Sequence, residues 1–409
     1  MKFDIFLSIC QTEVDGFIPS ERQMFEQFFD QVKLADSLGF ETAWVAESHL
    51  SCEVQKSNEE AVIPHFKGEI GLNTDILQLA HKVFQCTRRI QIGSAIRNIL
   101  CNGGPLAHAE ALKTFLSLHG LDPAETRKIF LGFAAGRFPF SNKPYGIKPR
   151  NELEAQAWPV IKGLLFQQAT EIFMRALKNE RFSSDDLQPM RLEAKQFRQA
   201  ADWQTVSQLN RQQSYPVKGE AIEVPPYWNF ETLGVIPFEA PMHLLQLVAG
   251  SHDPAVQSQA NRYFPTWVFN LSITPSATIE ETHKRMTGAY HPAGGPWQRS
   301  YLPRTALIFI NGDEALSLEE QRKTAREAAQ SALENYWKAV EGTLDPQKIA
   351  EAVENAVYGN PADVAAQLQA KYHRDDRLML WFDFNNHDNR AVKASMEAFW
   401  HKARPLIKD

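Results

Sequence analysis

Short apolar runs alternate along this chain with longer stretches whose apolar residues recur at helical spacing, the pattern of a parallel α/β protein. Lys2 to Ser8 reads as a first buried strand. Glu21 to Leu38 reads as a helix with Met24, Phe28, Val32 and Ala35 on one face and Gly39 as its stop. Glu41 to Ala46 is a second strand, and Thr74 to Gln85 a helix that Thr74 or Asn73 can cap. Arg89 to Ile96, a helix opened by Pro105, and Ile129 to Phe133 continue the alternation. It then breaks: Asn151 to Gln199 looks helical and charge-rich, and Ser214 to Val224 suits an extra hairpin. Leu244 to Ala249, Thr266 to Leu271, Arg304 to Ile310 and Arg377 to Phe382 resume the strand rhythm with helices between them. Eight such strands predict a single (β/α)8 TIM barrel over residues 1–409, with an insertion or lid at about 138–242 on its carboxyl face.

The strand ends carry the candidate chemistry, because a parallel barrel gathers its reactive groups at the carboxyl ends of its strands. Glu47, Ser48 and His49 follow the run Ala43 to Ala46, and Arg97 and Asn98 follow Ile90 to Ile96. His49 suits a general acid or base, since imidazole titrates near neutral pH. Glu47 suits a group that orients its neighbours or ties the barrel mouth together. Arg97 and Asn98 suit contacts to substrate or cofactor, the plainer alternative being a salt bridge and a loop cap. Gly250 and Ser251 end an apolar strand before a helix starting near Pro254, where free N–H groups and a hydroxyl can hold a phosphate. Aromatic residues of the insertion, Trp228 among them, and the segment Tyr290 to Trp297 suit either a lid that contacts substrate and excludes water or a subunit interface.

Composition narrows the function. The chain is 44% apolar and 22% charged, with a formal charge of −6 and no basic block that would suggest nucleic acid. No apolar stretch is long enough for a membrane helix, and the amino terminus lacks the long apolar region and cleavage site of a signal peptide, so a cytoplasmic protein is expected. Cys10, Cys52, Cys86 and Cys101 have neither zinc nor redox spacing, and no metal is expected. No G-x-G-x-x-G follows a strand, so a nicotinamide site is not expected.

Gly39, Phe40, Trp44, Glu47 and His49 in the pattern GF-x-x-x-W-x-x-E-x-H, then IGSA at Ile92 to Ala95 and P-x-x-x-A-E at Pro105 to Glu110, resemble the bacterial luciferase-like family of flavin-dependent monooxygenases and deazaflavin oxidoreductases. LGFAAG at Leu131 to Gly136, LVAGS at Leu247 to Ser251 and YGNPADVAAQL at Tyr358 to Leu368 extend the similarity over most of the chain outside the insertion. The resemblance implies reduced FMN, with a deazaflavin as the alternative, held by backbone at Ala95, Ile96 and Asn98, by Gly136, and by Gly250 and Ser251. It places a cis peptide at Ala95–Ile96. It implies O2 and a small organic substrate contacted by Arg97 and Trp228, a separate flavin reductase as partner, and a homodimer. The chain departs from the family at Ser48, where the catalytic luciferase subunit has its flavin-linked histidine, and at Ala135, where that subunit has an arginine assisting the phosphate. Arg137 is the expected replacement. These departures also admit a noncatalytic flavin-binding or partner subunit.

Overall fold

The computed structural model describes residues 1–59, 61–271 and 273–408. Its strands are β1 (Lys2–Leu7), β2 (Thr42–Val45), β3 (Gln91–Asn98), β4 (Ile129–Ala134), β5 (Met190–Leu192), β6 (Val217–Lys218), β7 (Ala221–Val224), β8 (Leu245–Ala249), β9 (Thr266–Val268), β10 (Arg304–Ile310), β11 (Val357–Gly359) and β12 (Arg377–Trp381). Its helices are α1 (Glu21–Leu38), α2 (Cys52–Gln55), α3 (Ile76–Cys86), α4 (Gly104–His119), α5 (Glu152–Gln156), α6 (Trp158–Leu177), α7 (Ala200–Gln213), α8 (Pro254–Tyr263), α9 (Ser276–Ala289), α10 (Leu318–Glu341), α11 (Pro346–Asn355), α12 (Pro361–Lys371) and α13 (Asn389–Ala398).

Nine strands form one curled parallel sheet in the order β11-β10-β12-β1-β2-β3-β4-β8-β9. A lone parallel bridge between Asn270 and Arg304 joins the end of β9 to the start of β10. Strand alternation divides the core in two. Ile5, Ala43, Val45, Ile92, Leu131, Leu247 and Leu380 point out against the helices. Phe6, Trp44, Phe130, Val248, Trp267, Phe269 and Met379 fill the concave side, the lumen. At its amino-terminal end Asp4 accepts the Trp44 indole N–H at 2.7 Å and pairs with Arg377 at 2.7 Å.

Local sequence explains the boundaries. Gly39 stops α1 in the left-handed region (φ 107°), which costs a residue with a Cβ more than glycine. Asp75 caps α3, rather than Thr74 or Asn73, because its carboxylate accepts the Leu77 N–H. The stretch 151–199 is helical as α5 and α6 only as far as Leu177; Asn179 then turns into the left-handed region (φ 61°).

The region expected as an insertion over the carboxyl face is distributed differently. Helix α6 belongs to the helix layer, between α4 and α8, with Phe166 and Phe173 against Phe133 of β4. The small antiparallel sheet β5-β7-β6 and α7 lie on the outer flank of α5 and α6. Phe230 packs on Phe182, Phe238 lies under the buried Lys113 of α4, and Trp228 lies against Gly104. The segment Tyr290 to Trp297 sits at the amino-terminal end, with Tyr290 and Trp297 beside Tyr301 and Trp267. Helix α9 runs back along the sheet, so the segment after it emerges opposite the strand ends and covers no mouth. The cover comes from loops leaving the carboxyl ends: Cys10 after β1, Cys52, Ile63, Phe66 and Ile70 after β2, and Phe138 and Phe140 after β4, packed with Ala339 of α10.

Candidate active site

Two sets of side chains meet at the carboxyl end, one on each side of the sheet. On the helix side, Glu47 is fully buried. Its Oε1 lies 3.2 Å from His49 Nε2 and 3.8 Å from an Arg97 nitrogen, and its Oε2 accepts the Ser94 hydroxyl at 3.3 Å. Arg97 donates through Nε to His108 Nδ1 at 2.8 Å and through a terminal nitrogen to Asp75 at 3.2 Å. His108 therefore carries its proton on Nε2, which lies 3.0 Å from the Cys101 carbonyl. Burial, and then the Arg97 charge, push its pKa down to about 3, so it stays neutral. Asn102 donates to His49 Nδ1 at 3.1 Å, so both ring nitrogens of His49 are engaged. The cluster ties β2, β3, α3 and α4 together.

Asn98 behaves as a loop cap. Its Oδ1 accepts the Leu100 N–H at 3.0 Å and its Nδ2 donates to Asn142 at 2.6 Å, while Asn142 reaches the Ala135 carbonyl at 3.0 Å. Gly136 (φ 72°) crosses so close to Asn98 that a Cβ there would fall 2.2 Å from Nδ2. The Ser48 N–H is bonded to the Asn73 carbonyl at 3.0 Å. Trp228 lies against Gly104 at the start of α4, and Arg137 is exposed, its guanidinium over the Phe138 ring at 5.4 Å.

On the lumen side the strand ends are small and half-exposed. Ala46, Ala95 and Ile96 pack on the lumen cluster, and the β3–β4 register shifts between Ser94 and Arg97. The Ala95–Ile96 peptide is cis. Alternation adds Ala134 and Gly250, the latter so close to Ile96 that a Cβ would meet its Cδ1 at 2.4 Å. Beside them, Asp383 follows Met379 and Trp381 and Ser8 follows Phe6 at the same two-residue period, which brings both onto the lumen face. Both the Ser8 N–H and its hydroxyl donate to Asp383 Oδ2, each at 3.1 Å. Burial pushes the Asp383 pKa up to about 6, against the Ser8 hydrogen bonds, which lower it.

The phosphate site expected at Gly250 and Ser251 is differently furnished. The Ser251 hydroxyl accepts the Asp253 N–H at 3.1 Å, and the Asp253 carboxylate itself caps α8. Lys162 of α6 is half-buried, its ammonium on the Gly136 carbonyl at 3.1 Å, and burial holds its pKa below the usual lysine range. Sequence reasoning missed Ser8, Asp383, Lys162, Asp75, Asn102 and His108. The rule that singled out Glu47, a polar residue directly after an apolar strand, applies equally to Ser8 and Asp383. Among the described residues no group of three or more His, Cys, Asp or Glu side chains is placed to hold a metal ion, and no helix is long and apolar enough to cross a membrane.

The luciferase-like monooxygenase family model matches residues 1–120, the part that contains both motif segments. The monooxygenase RslO1 from Streptomyces bottropensis has a similar fold, with a TM-score of 0.66 at 17% identity over 100% of both chains. So does the oxygenating constituent of 3,6-diketocamphane monooxygenase from the CAM plasmid of Pseudomonas putida, solved with FMN: TM-score 0.56, 14% identity, 100% of this chain and 99% of that one. An F420-dependent secondary alcohol dehydrogenase, solved with an F420-acetone adduct, gives a TM-score of 0.56 at 12% identity over 100% and 99%. No curated protein matches the chain. The chain is thus an α/β protein that shares the fold of these solved proteins and is similar over residues 1–120 to the luciferase-like monooxygenases. The resemblance seen in the two motif segments holds, and that family and its structural neighbours are oxidoreductase enzymes whose cofactors are of the flavin type.

Proposed function

We propose that the chain is a single-domain (β/α)8 barrel, closed at the Asn270–Arg304 bridge, that works as a flavin-dependent monooxygenase on a small organic substrate. The observation that carries this reading is the cradle at the lumen mouth. Ala46, Ala95, Ile96, Ala134 and Gly250 leave flat, half-exposed backbone where larger side chains would fill the space, and an apolar cover closes over it. These residues suit the ring of FMN. Its phosphate is assigned to Lys162, with Ser251 as a second candidate donor, since Asp253 already occupies the start of α8 and repels an anion there. Bound reduced flavin supplies the electrons that activate O2; the protein positions the ring, excludes water and handles protons. The reading includes delivery of reduced FMN by a separate reductase, a cytoplasmic location and pairing of two copies of the chain.

The test is an anaerobic titration of the protein with reduced FMN, reduced riboflavin and reduced deazaflavin. Saturable binding of FMN, weakened at least about tenfold in Lys162→Met with riboflavin binding unchanged, is the expected result. Binding of deazaflavin alone would replace oxygenation by hydride transfer. Binding of none would overturn the enzymatic reading in favour of a partner subunit.

A further inference from the structure

Most buried polar groups at the carboxyl end have their partners. The Asp383 carboxyl has one on Oδ2, the twofold contact from Ser8, while Oδ1 is buried with no hydrogen-bond partner. A buried oxygen left in this state calls for an explanation, because desolvating it without a partner costs about 1–3 kcal/mol. Its position supplies one: it stands on the lumen face, past Trp381, at the edge of the cradle of small residues.

We infer that Asp383 is the proton-handling carboxyl of this barrel, positioned by Ser8, and that Oδ1 exchanges its proton directly with the molecule bound at the lumen mouth. The inference rests on the proposed flavin-type site and deepens it. It also accounts for Ser48, whose N–H is bonded to the Asn73 carbonyl: the acid or base missing after β2 is found after β12. The step is a plain proton transfer. The Oδ1–H bond breaks as the proton passes to a ligand oxygen or nitrogen, and the resulting carboxylate charge is held on Oδ2 by the two Ser8 donors until solvent returns a proton. The other titratable groups around Asp383 do not compete. Burial pushes the Cys10 thiol up to about 11, and His387 is turned to the Thr12 carbonyl at 2.6 Å with its pKa held down by burial. Trp381 is not titratable; its indole N–H, which has no other acceptor, is directed at the Asp383 carboxyl and, like Ser8, favours the ionised form.

Two measurements on the intact protein test this. Infrared difference spectra of the cofactor-free chain against pH should show a carboxyl band that titrates near pH 6 and is missing in Asp383→Asn. In Ser8→Ala the same band should titrate at higher pH, since a donor to the ionised form is lost. Subtracting the variant removes the contribution of Asp4, which burial also pushes up to about 6. The second measurement is reoxidation of bound reduced FMN by O2, followed by absorbance. Asp383→Asn should bind reduced FMN within about threefold of the wild type. It should reoxidise the flavin on the order of 100-fold more slowly and lose the pH break. A variant that binds FMN and reoxidises it at the wild-type rate with the wild-type profile overturns the inference and leaves the proposed function standing. An infrared titration unchanged by Asp383→Asn overturns it too. A wild-type chain that binds neither FMN nor deazaflavin overturns both, and is recognised by the binding step alone.

Discussion

The sheet separates two polar clusters that the same rule of sequence reading would treat alike. Both come directly after the last apolar residue of a parallel strand. On the helix side Glu47, His49, Arg97, His108, Asp75 and Asn102 use both Glu47 oxygens and all four ring nitrogens of the two histidines in contacts to one another and to the backbone. On the lumen side Asp383 keeps one oxygen unpartnered. The difference teaches that a polar group at a strand end is not by itself chemistry. Hydrogen-bonding capacity already spent inside the protein builds a frame, and capacity left over is what a ligand can use.

The largest expected effect is on the frame. Glu47→Ala leaves a void and takes one of two carboxylates from the Arg97 guanidinium, whose side chain is 5% exposed and keeps Asp75 at 3.2 Å, and should lower stability by about 3 kcal/mol in chemical denaturation. Glu47→Gln keeps the shape and an acceptor and should cost less. A Glu47→Ala variant that keeps its stability but loses cofactor turnover would exchange the roles of the two clusters.

The clusters should also respond to pH with opposite signs. His108 is depressed to about 3 in the folded chain, so below its unfolded value near 6.5 the unfolded state binds more protons, and stability falls with falling pH. Between pH 6.5 and 4.5 this amounts to about 2–3 kcal/mol, and His108→Asn should flatten that limb of the stability profile. Asp383 is raised to about 6, so its contribution is present below its unfolded value near 3.8 and is lost as pH rises through 6. Asp383→Asn should therefore be more stable than the wild type at pH 8, relative to pH 4, by on the order of 2 kcal/mol. Equal pH profiles for the two proteins would mean that Asp383 is ionised throughout, and the contrast between the clusters would disappear.

Much of the fold was legible because its signals are local. Strand runs, the Gly39 stop and the Pro254 and Pro361 helix starts depend on residues adjacent in sequence. The site was legible only by position along each strand. Sequence marks Glu47 and Arg97 as strand-end polar residues, but whether they face lumen or helices depends on strand register. At β3 that register shifts between Ser94 and Arg97, which leaves Ala95 and Ile96 on the lumen and turns Arg97 out toward His108. The pairing of Ser8 with Asp383 joins residues 375 positions apart and has no local signature. Aromatic residues of the 138–242 stretch and of Tyr290 to Trp297 suit a lid or a subunit interface because they are apolar. Phe138 and Phe140, just after β4, do join the apolar cover at the carboxyl end, whereas Phe182 and Phe230 pack on one another and α9 carries Tyr290 to Trp297 to the amino-terminal end.

The smallest effect separates two contributions at one residue of the frame. Asn102 donates from Nδ2, which cannot accept, so His49 Nδ1 must be the acceptor and His49 Nε2 carries the proton toward Glu47. Asn102 also sits in the left-handed region (φ 50°), which asparagine and glycine tolerate better than alanine. Asn102→Gly should thus lose only the hydrogen bond, about 1 kcal/mol, whereas Asn102→Ala should lose about 1–2 kcal/mol more for its backbone. Nitrogen NMR of the imidazole should find the proton on Nε2 in the wild type. If Asn102→Gly is neutral and the proton is found on Nδ1, His49 is not locked into the frame, and it returns as a rival to Asp383 for the chemistry of the mouth.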